Sequence, residues 1–211
     1  KDGATENLLQ FGMDQGLPGT IYTKFIKDKN GILWIATDDG LCSFDGEYCE
    51  NYSLAQGLNY NWIYDILIDS HEQLWISYNY NRNGVTVINR GTGIIKHITT
   101  SEGLNSNNVR GFTEDNKGRI WISTDRGLNI IDQQAGTIKN VGKAQGLSGN
   151  NTGFIFQDRE GKIWMIVNER TIDIIDERKG FIKHLDEQQG IGNKNINYIT
   201  EDKLGRIWLG T

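Results

Sequence analysis

Residues 119–128 of the chain read Arg-Ile-Trp-Ile-Ser-Thr-Asp-Arg-Gly-Leu. Close copies stand at 32–41, which read Ile-Leu-Trp-Ile-Ala-Thr-Asp-Asp-Gly-Leu, and at 206–211, which read Arg-Ile-Trp-Leu-Gly-Thr. Each copy has an aspartate 6 residues before its tryptophan and a glycine 12 residues before that aspartate. These markers recur five times, as Gly16, Gly57, Gly103, Gly146 and Gly190, as Asp28, Asp69, Asp115, Asp158 and Asp202, and as Trp34, Trp75, Trp121, Trp164 and Trp208. A repeat of 41 to 46 residues is typical of propellers and solenoids.

The third repeat divides into four short strands. Apolar runs at 109–113, 119–124, 128–131 and 137–141 are separated by turn residues. The first turn, Asp115-Asn116-Lys117-Gly118, has the Asp-first, Gly-fourth pattern of a type I turn. Turns arrive too often for the amphipathic segments of about ten residues that a helical repeat needs. Four antiparallel strands per repeat indicate a β-propeller blade.

We therefore expect an all-β fold, with one β-propeller segment over 1–211 and repeat starts near 16, 57, 103, 146 and 190. The second strand of each repeat is apolar at consecutive positions, which suits a sheet packed on both faces. The repeated tryptophans are expected in the layers between blades, and the repeated aspartates in turns. Strand counting gives four complete four-stranded antiparallel blades and a partial blade at each end, with 8–11 as an orphan outer strand. The sequence thus indicates a piece of a larger propeller of about seven blades.

Composition excludes several functional classes. The net charge is −5 and no basic stripe is present, which argues against nucleic acid as a partner. No apolar run is long enough for a membrane span, so we expect no membrane insertion in this segment. Nucleophile-elbow, zinc-protease and phosphate-loop motifs are missing from the sequence, and we expect no catalytic site, metal or cofactor. His71 falls in a turn, while His97 and His184 share one outer-strand position and indicate a surface pattern.

The two cysteines flank Asp45-Gly46, which we expect to be a two-residue hairpin turn. That register sets Cys42 directly opposite Cys49, at a spacing compatible with a disulfide. A bond at such a hydrogen-bonded pair would be strained, so a pair of free thiols is the favoured interpretation and the disulfide is the alternative.

The pattern Gly-Leu-x-x-Asn, then Asp-x-x-Gly-x-Ile-Trp-Ile-x-Thr, then Gly-Leu resembles the two-component regulator propeller repeat, and the resemblance covers essentially the whole chain. It implies an extracytoplasmic sensor region of a bacterial membrane receptor, often a hybrid histidine kinase and sometimes a diguanylate cyclase. Many such receptors respond to carbohydrate fragments. The resemblance therefore implies a periplasmic or extracellular location, a homodimeric receptor, and contact with a small polar ligand such as an oligosaccharide or with another propeller domain.

Departures from the repeat single out candidate binding residues. Glu72 replaces a turn glycine, Arg170 replaces the glycine before a third strand, and the second repeat carries an insertion within 78–83. Blade-joining loops and the loops between second and third strands are expected on one face, where aromatic and guanidinium groups gather. Such groups suit a polar ligand with apolar sugar faces, or a peptide. The candidate ligand-binding residues are Trp62, Tyr64, Tyr78, Tyr80, Arg82, Arg110 and Arg126.

Three functions fit these features. The first is a non-catalytic module that senses a ligand and transmits its presence to a signalling domain. The second is a propeller-fold lyase acting on a polysaccharide or lactone, which would need a base on the ligand face, such as Tyr64 or Tyr80, often with a metal. The third is a protein-interaction scaffold, which shares every feature of the sensor except the ligand.

Overall fold

The computed structural model of the protein describes residues 11–79, 83–192 and 195–211. These residues form four four-stranded antiparallel sheets and one two-stranded sheet, which confirms the all-β propeller segment. Of the expected orphan strand, 8–10 lie outside the described residues. No helix in the described part of the chain is long and apolar enough to cross a membrane.

Each complete blade contains four consecutive strands in sequence order. The first is β1 (Tyr22–Lys27), β2 (Leu33–Thr37), β3 (Gly40–Phe44) and β4 (Cys49–Tyr52), and the second is β5 (Ile63–Ile68), β6 (Gln73–Tyr78), β7 (Val85–Asn89) and β8 (Ile95–Ile98). The third is β9 (Val109–Glu114), β10 (Ile120–Thr124), β11 (Gly127–Asp132) and β12 (Thr137–Val141), and the fourth is β13 (Thr152–Gln157), β14 (Ile163–Val167), β15 (Thr171–Asp176) and β16 (Phe181–Leu185). The fifth sheet contains β17 (Tyr198–Glu201) and β18 (Ile207–Gly210).

The repeated aspartate and tryptophan form one structural unit. In the third blade, Asp115 Oδ1 accepts the backbone N–H groups of Lys117 and Arg119, and Gly118 N donates to Asp115 O, which closes the expected turn. The other carboxylate oxygen accepts the Trp121 indole N–H at 2.7 Å. The same indole–carboxylate bond recurs in the other four sheets at 2.7 to 3.4 Å. The aspartate therefore forms the turn and also fixes the tryptophan ring.

The tryptophans occupy equivalent second-strand positions but differ in burial. Trp34, Trp75 and Trp121 are 5%, 2% and 1% exposed, as the repeat predicts. Trp164 is partly buried against the fifth sheet, and Trp208 is 54% exposed. Burial follows from whether a further sheet covers the ring.

The hydrophobic core consists of layers between successive blades. The layer between the third and fourth blades, for example, joins Trp121 and Leu128 to Ile163 and Met165. The first strands β1, β5, β9, β13 and β17 contact one another in that order. They therefore lie side by side as the inner strands around the axis of the propeller.

The two residues that replace turn glycines, Glu72 and Arg170, are accommodated by the backbone conformation of their turns. Glu72 adopts φ 61°, the left-handed conformation of the glycine that it replaces. At the turn before β15, Asn168 and Glu169 have φ values of 49° and 65°, and Arg170 N donates to Val167 O. Positive φ at both central residues defines a type I′ turn, so Arg170 itself does not need the conformation of glycine.

The cysteine hairpin differs from the sequence prediction in register. Phe44 pairs with Cys49, and Cys42 pairs with Asn51, so the loop contains four residues (45–48) instead of two. The cause is Asp45, whose Oδ1 accepts the N–H groups of Glu47 and Tyr48 and lengthens the turn. Cys42 and Cys49 form a disulfide across this register, with Cα atoms 5.6 Å apart, so the favoured prediction of free thiols was wrong.

The exposed copy of the aspartate–tryptophan unit allows a direct titration. The indole of Trp208 and the backbone and side chain of Arg206 lower the pKa of Asp202 from 3.8 to about 2. The unit therefore stabilises the folded chain above about pH 4 and loses that contribution as the pH falls through about 2. In a Trp208→Phe variant, which lacks the donor, we expect an NMR titration to move the Asp202 midpoint upward, and an unchanged midpoint would contradict this role for the indole.

Candidate functional site

The blade-joining loops meet the loops between second and third strands on one face. Gly40 N donates to Asn61 O, Asn79 N to Trp62 O, and Asn168 N to Asn151 O. In each case the loop between the second and third strands, or the first residue of the third strand, contacts a loop that leads into a blade. The expected common face is therefore present, and it lies at one end of the inner strands.

A cavity of about 300 Å³ opens among the inner strands on this side of the molecule. We call it the axial cavity. Its lining includes an aromatic pair, a guanidinium group, a carboxylate and several amides: Tyr64, Phe154, Arg110, Glu169, Asn151, Asn195 and Asn197. These residues come from the second to the fourth sheets and from the loops that lead into the fourth and fifth sheets, so the site depends on correct packing of consecutive blades.

The fourth-blade side of the axial cavity is held by a hydrogen-bond network. Asn195 Nδ2 donates to Glu169 Oε2 at 3.1 Å, and Ile196 N donates to the Glu169 carbonyl at 2.7 Å. Arg170 Nε donates to Asn195 Oδ1 at 3.3 Å. This network orders the loop before β17 against the turn before β15 and presents amide and carboxylate groups in fixed positions.

The third-blade side carries positive charge close to a carboxylate. Burial opposes ionisation of Asp125, but hydrogen bonds from Ser106 and Asn108, together with the charges of Arg110 and Arg126, lower its pKa overall. Ser106 Oγ donates to Asp125 Oδ1 at 2.5 Å. Asp125 is therefore ionised near neutral pH. The positive charge of Arg110, which lines the axial cavity, offsets the negative charge of Asp125.

A partly buried ion pair joins the inner strands of the first two blades. Lys24 Nζ contacts Asp65 Oδ1, and Asp65 Oδ2 accepts the Phe112 backbone N–H at 3.1 Å. One carboxylate thus connects three inner strands. Burial raises the pKa of Asp65, and Lys24 and the backbone donors oppose that rise. The contact positions β1, β5 and β9, and hence the wall that carries Tyr64 and Arg110.

The structure brings together some of the candidate residues and separates others. Tyr64 is 44% exposed and lines the axial cavity with Arg110. Trp62 is partly buried in the loop before β5, and Arg126 is exposed in the turn before β11, beside the cavity instead of in its lining. Tyr80 and Arg82 lie outside the described residues. Ligand contact remains a prediction for all of these residues.

Tyr78, another candidate residue, lies at the end of β6 and is buried instead of exposed on the loop face. Its side chain is 2% exposed, and its hydroxyl accepts the Asn59 N–H at 3.0 Å and donates to Thr86 Oγ1 at 2.6 Å. In the third blade the third-strand residue Asn129 accepts the equivalent loop N–H directly, at 2.8 Å. Threonine at position 86 is too short for this bond, and the Tyr78 hydroxyl replaces the missing acceptor.

Sequence reasoning missed most of the fourth-blade side of the axial cavity. Phe154, Glu169 and Asn195 are lining residues that were not among the candidates. Phe154 follows Gly153 at the start of an inner strand, and its ring lies 4.4 Å from the Tyr198 ring, centroid to centroid. One signal in the sequence pointed to this side of the cavity. In the turn before β15, Arg170 replaces the repeated glycine, and the preceding residue, Glu169, carries a carboxylate.

These features define the chain as a β-propeller segment with a polar, aromatic-lined axial cavity. Three of its five repeats match the family model described as two component regulator propeller. The model of that family matches residues 16–39, 103–126 and 190–211, which lie in the first, third and fifth repeats. The resemblance seen in the sequence is therefore confirmed. No curated protein sequence matches the chain.

Several solved structures share the fold. The extracellular domain of BT3049 from B. thetaiotaomicron, described as a hybrid two component system, aligns with a TM-score of 0.83 and 23% identity over 96% of this chain and 29% of its own. The extracellular domain of BT4673 from the same organism, also described as a hybrid two component system, aligns with a TM-score of 0.79 and 26% identity over 97% of this chain and 30% of its own. Catalytically inactive virginiamycin B lyase from Staphylococcus aureus aligns with a TM-score of 0.72 and 19% identity over 92% of this chain and 64% of its own. The chain thus spans about 30% of the length of the two extracellular domains.

Proposed function

We propose that this chain is a non-catalytic, ligand-sensing propeller module in the extracytoplasmic part of a bacterial two-component-type receptor. The observation that carries the proposal is the axial cavity, which combines Tyr64, Arg110 and Glu169 on the loop face of a propeller with these repeats. The BT3049 and BT4673 structures are extracellular domains, and this likeness supports an extracytoplasmic location. The receptor would act as a homodimer, with a signalling domain outside this segment.

The ligand class follows from the chemistry of the cavity wall. Tyr64 and Phe154 offer ring faces on which the apolar faces of a sugar can stack. Arg110, Glu169 and Asn195 offer donors and acceptors for hydroxyl groups, with Glu169 and Asn195 already held by hydrogen bonds to each other. A cavity of about 300 Å³ suits one or two sugar rings at the end of a chain. We therefore propose a short oligosaccharide as the ligand.

We expect Arg110→Ala to weaken glycan binding about tenfold or more, because a charge-assisted hydrogen bond is lost from a partly enclosed site. Tyr64→Ala should act similarly through lost stacking. Arg178→Ala is the control for the loss of one positive charge, because Arg178 is exposed in the β15–β16 turn and does not line the axial cavity. Titration calorimetry with oligosaccharides chosen from a glycan array measures the affinities. Equal affinities for wild type and Arg110→Ala would contradict this site, and an equal loss in Arg178→Ala would indicate a general charge effect.

A lyase is the second candidate, because virginiamycin B lyase shares the fold and Tyr64 could serve as a base in the cavity. His71, His97 and His184 lie in the β5–β6 turn and in the outer strands β8 and β16, away from the cavity. Mass spectrometry of the bound glycan after prolonged incubation separates the two functions. Recovery of intact ligand supports sensing, whereas an unsaturated or opened product would support the lyase. Binding of a protein partner without any glycan would instead favour the scaffold.

A further inference from the structure

A second and larger cavity lies on the outer rim, between the first and second blades. Its volume is about 570 Å³. We call it the rim groove. Its walls include Trp34, Ser43, Tyr48, Glu50, Tyr52 and Arg90. The side chains at the equivalent positions of the other blades explain why the rim groove is open.

The rim groove exists because one cross-strand pair departs from the repeat. Opposite the repeated tryptophan, the third strand carries Val87, Ile130 and Ile174 in the second, third and fourth blades, but Ser43 in the first. The short serine side chain leaves unfilled the space that a branched aliphatic side chain occupies elsewhere. Tyr52 likewise stands where the other fourth strands have Ile98, Val141 and Leu185. The aliphatic side chains of the other blades are thus replaced by an open groove with the Tyr52 ring as one wall.

The same pair reverses the charge of the groove. The fourth-strand partners of Val87, Ile130 and Ile174 are Lys96, Lys139 and Lys183, whereas the partner of Ser43 is Glu50. Within the described part of the chain, no lysine or arginine forms an ion pair with Glu50. Glu50 Oε2 accepts the Tyr52 hydroxyl at 3.1 Å, which fixes the carboxylate beside the ring.

The cation at the floor of the groove does not cancel this charge. Arg90 lies over the Trp34 ring, 5.2 Å from its centroid, and is paired with Asp28 and, at 3.1 Å, with Glu72. The Arg90 side chain is 14% exposed. Its positive charge is neutralised by the carboxylates of Asp28 and Glu72. Burial raises the pKa of Tyr52, and the negative charge of Glu50 adds to that rise. The carboxylates of Asp45 and Glu50 both line the open part of the groove, which is therefore negative.

We propose that the rim groove binds an organic cation with an apolar body. Glu50 receives the ammonium or guanidinium group, and Tyr48 and Tyr52 contact the body and the cation through their ring faces. Tyr48 is 68% exposed on a hairpin loop that the Cys42–Cys49 disulfide ties to the third strand, so its ring is available at the entrance. The volume of about 570 Å³ lies within the range of small-molecule sites. This site is separate from the axial cavity and does not depend on the proposed sensing of sugars.

Three probes with one apolar body and different charges test the proposal. We expect 2-phenylethylammonium to bind at least about tenfold more tightly than 2-phenylethanol, and 3-phenylpropanoate to bind more weakly than either. Amide chemical shifts measured by NMR over 43–56 and 88–95 locate the site and give the affinities. Higher salt should reduce the preference for the ammonium probe, since the groove is open to solvent.

Two variants and one matched control connect the preference to the named residues. Glu50→Gln should remove most of the preference for the ammonium probe over the alcohol, and Ser43→Ile should fill the groove and weaken the binding of all three probes. Glu47→Gln makes the same charge change on the adjacent loop outside the groove lining, and should leave binding unchanged. Equal binding of ammonium and alcohol by the wild type would overturn the proposal. So would equal losses in Glu50→Gln and Glu47→Gln.

Discussion

Replacing Trp121 with alanine is expected to lower the free energy of unfolding by about 3–5 kcal/mol. The ring is 1% exposed and packs in the layer between the third and fourth blades, where its removal leaves a cavity beside Leu128 and Ile163. The substitution also leaves Asp115 without the indole donor that lies 2.7 Å from its carboxylate. Urea unfolding followed by far-ultraviolet circular dichroism gives the change in free energy.

The repeat supplies the control for this prediction. Trp208 occupies the equivalent strand position and donates to Asp202 at 2.8 Å, but its side chain is 54% exposed. Trp208→Ala should therefore cost about 1 kcal/mol or less. Trp121→Phe, which keeps a ring but loses the donor, should lie between the two. Equal losses for Trp121→Ala and Trp208→Ala would show that the tryptophan acts through its turn and not through packing between blades.

The architecture was predictable because its signals are local and repeated. The aspartate turn and the apolar second strand each depend on residues close in sequence, and the third blade has its four strands within a residue or two of the predicted bounds. The cysteine hairpin was harder to predict because Asp45 binds two backbone N–H groups and adds two residues to the loop. Such side-chain capping changes register without changing the apolar pattern.

The candidate site was less predictable because it depends on contacts between blades. Tyr78 lies at the edge of an insertion, which suggested a loop residue, yet its hydroxyl supplies an acceptor that the short Thr86 cannot. Phe154 and Arg110 line one cavity only because β13 lies next to β9 in space. The Ser43–Glu50 pair was visible in the sequence, but its meaning required the cross-strand register.

Replacing Lys24 with methionine is expected to destabilise the protein by about 3 kcal/mol at pH 7, because it leaves the Asp65 carboxylate buried without its counter-ion. The Asp65 side chain is 14% exposed and that of Lys24 is 34% exposed. The two partners are therefore not equivalent. Asp65→Asn leaves a lysine that can reach water and keeps an oxygen for the Phe112 N–H, so it should cost only about 1–2 kcal/mol.

The pH dependence distinguishes an unpaired buried charge from a simple packing defect. Burial raises the pKa of Asp65, and Lys24 opposes that rise, so Lys24→Met should raise the pKa further. With a folded-state pKa above the unfolded value of about 3.9, the protonated carboxyl is favoured in the fold. The stability of Lys24→Met relative to wild type should therefore be best near pH 4 and fall as the pH rises to 7. Urea unfolding at both pH values tests this, with Lys24→Met/Asp65→Asn as the control, because that variant has no carboxyl at position 65 to titrate. The same loss for Lys24→Met at pH 4 and 7 would mean that Lys24 contributes through its aliphatic stem and not through its charge.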